Sequence, residues 1–211
     1  MLTHYDICLV PIGSLGSTRK GYNRRGAQQL DAAENAASRA IDLVPEKGGE
    51  CLSCQLHRVL GKIHQSKGEK EKAIHHLETA LRIASPPNWH DELFWIHHAL
   101  AELFLHLAEF DNANSHIEQA KSRTGGGTYQ LGRAMRLQAT VWCLQLRLEE
   151  AKAEALTALE IFEKFGVAEA AGPCRDLLQL VERGIRNTSP NFKGKLPETI
   201  CFTSLNSHFL A

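Results

Sequence analysis

The sequence predicts an all-α fold of stacked antiparallel helix pairs, and three observations predict it. Small residues recur at a near-constant interval: Ala33, Ala73, Ala113 and Ala151 are separated by 40, 40 and 38 residues. Seven positions after each stands another alanine (Ala40, Ala80, Ala120, Ala158), and twelve positions before the last three stand Gly61, Ala101 and Ala139. Two helices that cross closely need side chains of this size at the crossing, and such a period marks a repeat array. Larger residues follow at helical steps of three and four: Leu60, His64 and Leu77, then Leu100, Phe104 and Ile117, then Leu137, Trp142 and Leu156. The composition agrees, because 211 residues with 43% hydrophobic, 7% aromatic and 23% charged side chains suit one domain or a short array with a real core.

Taken in order, residues 1–26 carry Gly13, Gly16, Gly21 and Gly26 without a sustained period, which predicts an irregular N-terminal segment. Helices are then expected over 27–44, 50–66, 70–84, 91–108, 111–122, 129–147, 149–165 and 168–186. Breaks fall at Ser66-Lys67-Gly68-Glu69, at Glu109-Phe110-Asp111 with Asp111 as N-cap, and at Arg147-Leu148-Glu149. Between the pairs, Ala84-Ser85-Pro86-Pro87-Asn88 and Thr124-Gly125-Gly126-Gly127-Thr128 cannot continue a helix. The last helix gathers Cys174, Leu177, Leu178, Leu180 and Val181 on one side, as a capping helix over the final apolar surface should. Residues 187–211, with Pro190, Gly194 and Pro197, read as a flexible tail.

With Gly61, Ala73 and Ala80 at the small positions, Leu60 before the first, Gly68 in the turn and Pro45 and Pro86 near the ends, the chain resembles the tetratricopeptide repeat (TPR) family, in its longer-period branch of about 40 residues. The segments around Phe94-Trp95-Ile96, Ala113–Lys121, Ala158–Lys164 and Cys174–Leu178 are similar to fungal repeat proteins, some of whose relatives carry nucleotide-binding signalling domains. The resemblance implies a right-handed superhelical solenoid over 27–186, with a half unit at 27–46, units at 54–87, 94–127 and 132–165, and the cap at 168–186. It also implies a concave groove lined by the first helix of each pair. The side chains expected there are Gln55, Arg58, Lys62 and Gln65, then Trp95, His98, Glu102 and His106, then Arg133, Arg136 and Thr140. This mixed, mildly basic groove suits a peptide or partner helix of acidic character. The family's clamp for chaperone C-termini needs asparagines on these helices, and none of the three carries one, so no such clamp is expected.

Other chemistry fits less well. Gly16 to Gly21 has the spacing of a phosphate loop, but Tyr22 stands where its lysine belongs, so no nucleotide site is expected. Cys51, Cys54 and His57 lack the second ligand pair that zinc requires. The neighbours His75-His76 and His97-His98 point about 100° apart on a helix and cannot chelate one ion together, so one of each is expected to face water. Lys plus Arg (24) equals Asp plus Glu (24), so no net field favours nucleic acid, and the Arg19–Arg25 cluster reads as a solvated turn. No apolar run reaches bilayer length. Six scattered cysteines read as reduced thiols, hence cytoplasm, with the nucleus the second compartment that fits. These residues predict a non-catalytic interaction scaffold with a protein or peptide partner and no cofactor, metal, nucleic acid or membrane. Two other readings stand beside it: a regulatory arm of a larger signalling NTPase, and a helical metal protein or enzyme using His and Cys.

Overall fold

The computed structural model of the chain describes residues 21–45, 48–84, 89–124 and 128–188. Among them lie eight helices and no strand: α1 Gly21–Asp42, α2 Glu50–Lys67, α3 Lys70–Ile83, α4 His90–His106, α5 Phe110–Ser122, α6 Tyr129–Leu144, α7 Leu148–Lys164 and α8 Ala168–Thr188. The inter-pair glycine and proline runs, the phosphate-loop-like segment before Gly21, and the tail beyond Thr188 fall outside the described residues. So do the side chains of the Arg19–Arg25 cluster. The largest difference from expectation is at the first helix, since α1 begins at Gly21 rather than at 27, while the other helix ends shift by no more than three residues, α6 closing at Leu144 rather than 147 and α8 running to Thr188 rather than 186. A glycine within a helix costs about 1 kcal/mol and does not forbid the turn.

The small residues do what their spacing requires. Ala73, Ala80, Ala101, Ala113, Ala120, Ala139, Ala151 and Ala158 are all fully buried. A Cβ added to Gly61 would lie 2.6 Å from Leu77 Cγ and 3.3 Å from the Ala73 carbonyl oxygen, so α2 and α3 touch almost backbone to backbone. The same pair meets at Cys54, whose thiol reaches the Ala80 carbonyl at 3.5 Å. Position 54 therefore faces 80 while 61 faces 73 and 77, which makes α2 and α3 antiparallel. α4 packs on α5, and α6 on α7, in the same way, and α8 covers α7. Leu77 and Ile117 fill their units, but Leu156 is 48% exposed. The last interval is 38 residues, so the equivalent of Ile117 is Ala155, which is buried. Leu156 turns to solvent one position later.

Four turns share one hydrogen-bonding pattern. Gly68, Ala108, Leu146 and Gly166 all have positive φ (76°, 57°, 61° and 68°). The following amide reaches back five residues in each: Glu69 N to His64 O, Glu109 N to Phe104 O, Arg147 N to Trp142 O and Val167 N to Phe162 O, at 2.8 to 3.0 Å. This is the Schellman closure, which satisfies otherwise orphaned helix carbonyls. Because the second turn closes at Ala108, α5 starts at Phe110 and Asp111 lies in its first turn rather than at the N-cap. Its carboxylate suits the positive helix end there. Thr128 does cap α6, its hydroxyl accepting from the Leu131 amide at 3.2 Å.

Candidate functional site

The first helices of successive pairs lie side by side. Gln55 Nε2 donates to Glu92 Oε1 at 2.6 Å and Gln65 Nε2 meets His106 Nδ1 at 2.8 Å, so α2 and α4 run in the same direction. Across the next seam Gln130 Nε2 donates to Asp91 Oδ1 at 3.1 Å and the Arg133 guanidinium sits 5.3 Å from the Trp95 ring centre. The α2, α4 and α6 helices thus build one shared face, and most residues expected from the sequence to line a groove belong to it.

They do not all reach the surface. Gln55, Arg58, Lys62, Gln65, Trp95, Glu102 and Arg133 are half-buried and His106 is exposed. His98, Arg136 and Thr140 are buried, which corrects the expectation that they line the groove. Thr140 returns its hydroxyl to the Arg136 carbonyl at 3.0 Å. The physical reason is that α6 packs against α4, so side chains turned towards that seam are covered by the neighbouring helix.

Beneath the face is a charge node. Glu102 lies 3.3 Å from Lys62 Nζ and 3.5 Å from His98 Nδ1. Burial raises the Glu102 carboxyl, but the Lys62, Arg133 and Arg136 charges outweigh it and hold the group well below the usual carboxylate range. Burial pushes the His98 imidazole down to about 3 in spite of Glu102, so His98 is neutral at pH 7 and contributes no charge to the node. Burial also lowers Arg136, yet an arginine remains charged at neutral pH. One carboxylate from α4 therefore answers cations from both neighbouring helices.

Arg133 is the most preorganised cation of the face. It stacks between Trp95 and Tyr129, 5.3 and 5.9 Å from the two ring centres, and its Nη1 donates to the Tyr129 hydroxyl at 3.2 Å. Its Nε is buried with no hydrogen-bond partner, and so is Arg58 Nε, which lies 3.7 Å from Glu92. Tyr129, Glu92, Asp91 and Gln130 also belong to this face, and the expected groove omitted them. Tyr129 was legible in principle, since it lies four residues before Arg133 and so on the same helix face.

The remaining candidates separate in space. Cys51 is exposed, Cys54 is buried against Ala80, and His57 turns to His76 with the two Nδ1 atoms 3.0 Å apart, so the three do not converge. Burial raises the thiols of Cys54, Cys143 and Cys174 to about 12, 11 and 11, which keeps them protonated at neutral pH. His97 and His98 are both buried, against the expectation that one of them faces water, because α4 is enclosed by α2, α5 and α6. No helix among the described residues is long and apolar enough to cross a membrane.

No family model and no curated protein matches the chain. Among solved structures, the crystal structure of BtubC (BKLC) from P. vanneervenii is similar, with a TM-score of 0.58 at 17% identity, covering 84% of this chain and 82% of that one. At that identity the likeness is one of fold.

Proposed function

We propose that the chain is a non-catalytic interaction scaffold, a TPR-like solenoid of antiparallel helix pairs that holds a peptide or partner helix against the α2, α4 and α6 face. The single observation that supports this most strongly is Arg133, held rigid between Trp95 and Tyr129 with a buried, unpartnered Nε at the half-open surface. An ordered cation beside an aromatic surface loses little entropy on binding and suits the carboxylate side chains of a partner. Arg58 and Lys62 extend the positive character along α2, each tempered by a glutamate of α4. In this reading the chain recognises internal acidic side chains rather than a free C-terminus, because the face carries no asparagine to complete a carboxylate clamp.

Selection of displayed random peptides on the protein tests it. Wild type should enrich sequences with acidic residues near an apolar anchor, and Arg133→Glu should lose them while keeping the helical circular dichroism of the parent. Amidation of a selected peptide's C-terminus should leave its affinity within about twofold, well under the factor of ten that 1.4 kcal/mol represents. Peptides bound equally by wild type, Arg58→Glu and Arg133→Glu would place binding elsewhere and overturn the proposal.

A further inference from the structure

The histidines form a repeated arrangement that the proposed function does not use. His57 of α2 and His76 of α3 face each other with Nδ1 atoms 3.0 Å apart, ring centres 5.3 Å apart and ring planes at 31°. Forty residues on, His97 of α4 and His116 of α5 repeat this at 3.0 Å, 5.3 Å and 32°. A flat ring stacks on the α3 or α5 histidine in each case: His64 on His76 at 5.1 Å and 3°, Phe104 on His116 at 5.4 Å and 2°. The separation of ring centres is close to the 3.0 Å contact plus the two ring radii, so the nitrogens meet head-on. That is the geometry of a linear N–H···N hydrogen bond. A metal ion bound by both nitrogens would need their lone pairs to converge on a point off that line.

A head-on imidazole pair holds one hydrogen between its two Nδ1 atoms, so one ring donates and the other accepts. The first added proton goes to the free Nε2 of the donor ring and strengthens the bond. The second has only the acceptor's Nδ1 left to bind, and then two N–H groups on two cations point at each other. We propose that the two rungs are proton-operated latches, closed while each shares a single Nδ1 hydrogen and forced open, parting α2 from α3 and α4 from α5, when both Nδ1 atoms are protonated.

The surroundings of the first rung are His75 and Arg82 of α3, His64 of α2 with Glu69 at 2.9 Å, and Glu34 of α1. Those of the second are Arg123, which follows α5, and Glu78 of α3. Burial lowers all four rung histidines, His76 and His97 to about 4. A histidine whose folded value lies below its unfolded value of about 6.5 stabilises the fold above that pH and withdraws the stability as pH falls towards the folded value. The latches therefore release as pH falls from about 6.5 to 4.

The third pair supplies an internal control. Thirty-eight residues beyond His97, Phe104 and His116 stand Met135, Trp142 and Glu154, and Glu154 binds Lys121 at 2.7 Å instead. Hydrogen exchange of the full chain at pH 5.0 and 7.5, corrected for intrinsic rates, should show α3 and α5 amides losing at least tenfold more protection than α7 amides. In His76→Gln/His116→Gln, whose glutamines do not titrate, that differential loss should disappear, while His75→Gln, altered at an exposed neighbour, should keep it. Equal loss of protection in α3, α5 and α7 of the wild type overturns the proposal whether or not the double variant folds. So does a folded double variant that retains the difference.

Discussion

Ala108 and Leu146 hold positive φ at turns where Gly68 and Gly166 hold the same conformation without a side chain. An L-residue in that region is strained by about 1 kcal/mol relative to glycine, because its Cβ crowds the neighbouring carbonyl. Leu146 is also 68% exposed, so it recovers little through burial. Ala108→Gly and Leu146→Gly should each stabilise the protein by about 0.5 to 1 kcal/mol, less the entropy that glycine adds to the unfolded chain. Urea titration at neutral pH checks this, and a loss of stability in both variants would contradict the strain argument. These two turns mark where the sequence stops being legible at this scale. Gly68 and Gly166 announce themselves, whereas a closure made at alanine or leucine has no residue signature and shows only as the return of the 40- and 38-residue interval. The Leu156 position failed for a related reason. Placing the equivalent of Ile117 at an interval of 39 instead of 38 residues turns a side chain by about 100° around the helix, and the core received Ala155.

At the scale of helices, contact is set by the absence of side chains as much as by their presence. Apart from the start of α1, the helix limits are legible to within three residues because the small positions and the apolar steps share one period. The tightest point is Gly61, whose missing Cβ would press on Leu77, itself fully buried and unable to swing aside. Gly61→Ala therefore sets two effects against each other. Helix propensity favours alanine by about 1 kcal/mol, and forcing a methyl into a packed seam costs about 1 to 3 kcal/mol. With 2.6 Å to Leu77 Cγ the clash wins, so the variant should be less stable than wild type by up to about 2 kcal/mol. Gly61→Ala/Leu77→Ala, which vacates the space the new methyl needs, should cost less than the sum of its single substitutions in a double-mutant cycle. An additive cycle would show that the two positions do not meet. The imidazole rungs between the same helices were not legible, because a neutral ring facing a neutral ring leaves no charge or apolar pattern to read.

For the whole molecule the decisive element is the node that joins helices of three successive pairs. Glu102 of α4 lies among Lys62 of α2 and Arg133 and Arg136 of α6. The resemblance to the repeat family implies that these residues share a face, but as groove contacts. Burial turns Arg136 and His98 inward and makes part of the expected binding surface into its support. A buried ionic group stabilises little when compared with a well-packed apolar replacement, yet removing one partner leaves its counterpart uncompensated at a cost of about 3 to 5 kcal/mol. Glu102→Met should therefore destabilise the chain by about that amount, and broaden its urea transition as the pairs lose a shared constraint. Adding Arg136→Met removes one of the stranded charges, so Glu102→Met/Arg136→Met should be more stable than Glu102→Met alone. If the double variant is instead weaker by the full sum of the two single losses, Glu102 and Arg136 act independently and the face is not supported by a common charge. With that node intact, Arg133 keeps its place between Trp95 and Tyr129, so the same carboxylate that ties the helices together also keeps the shared face in order.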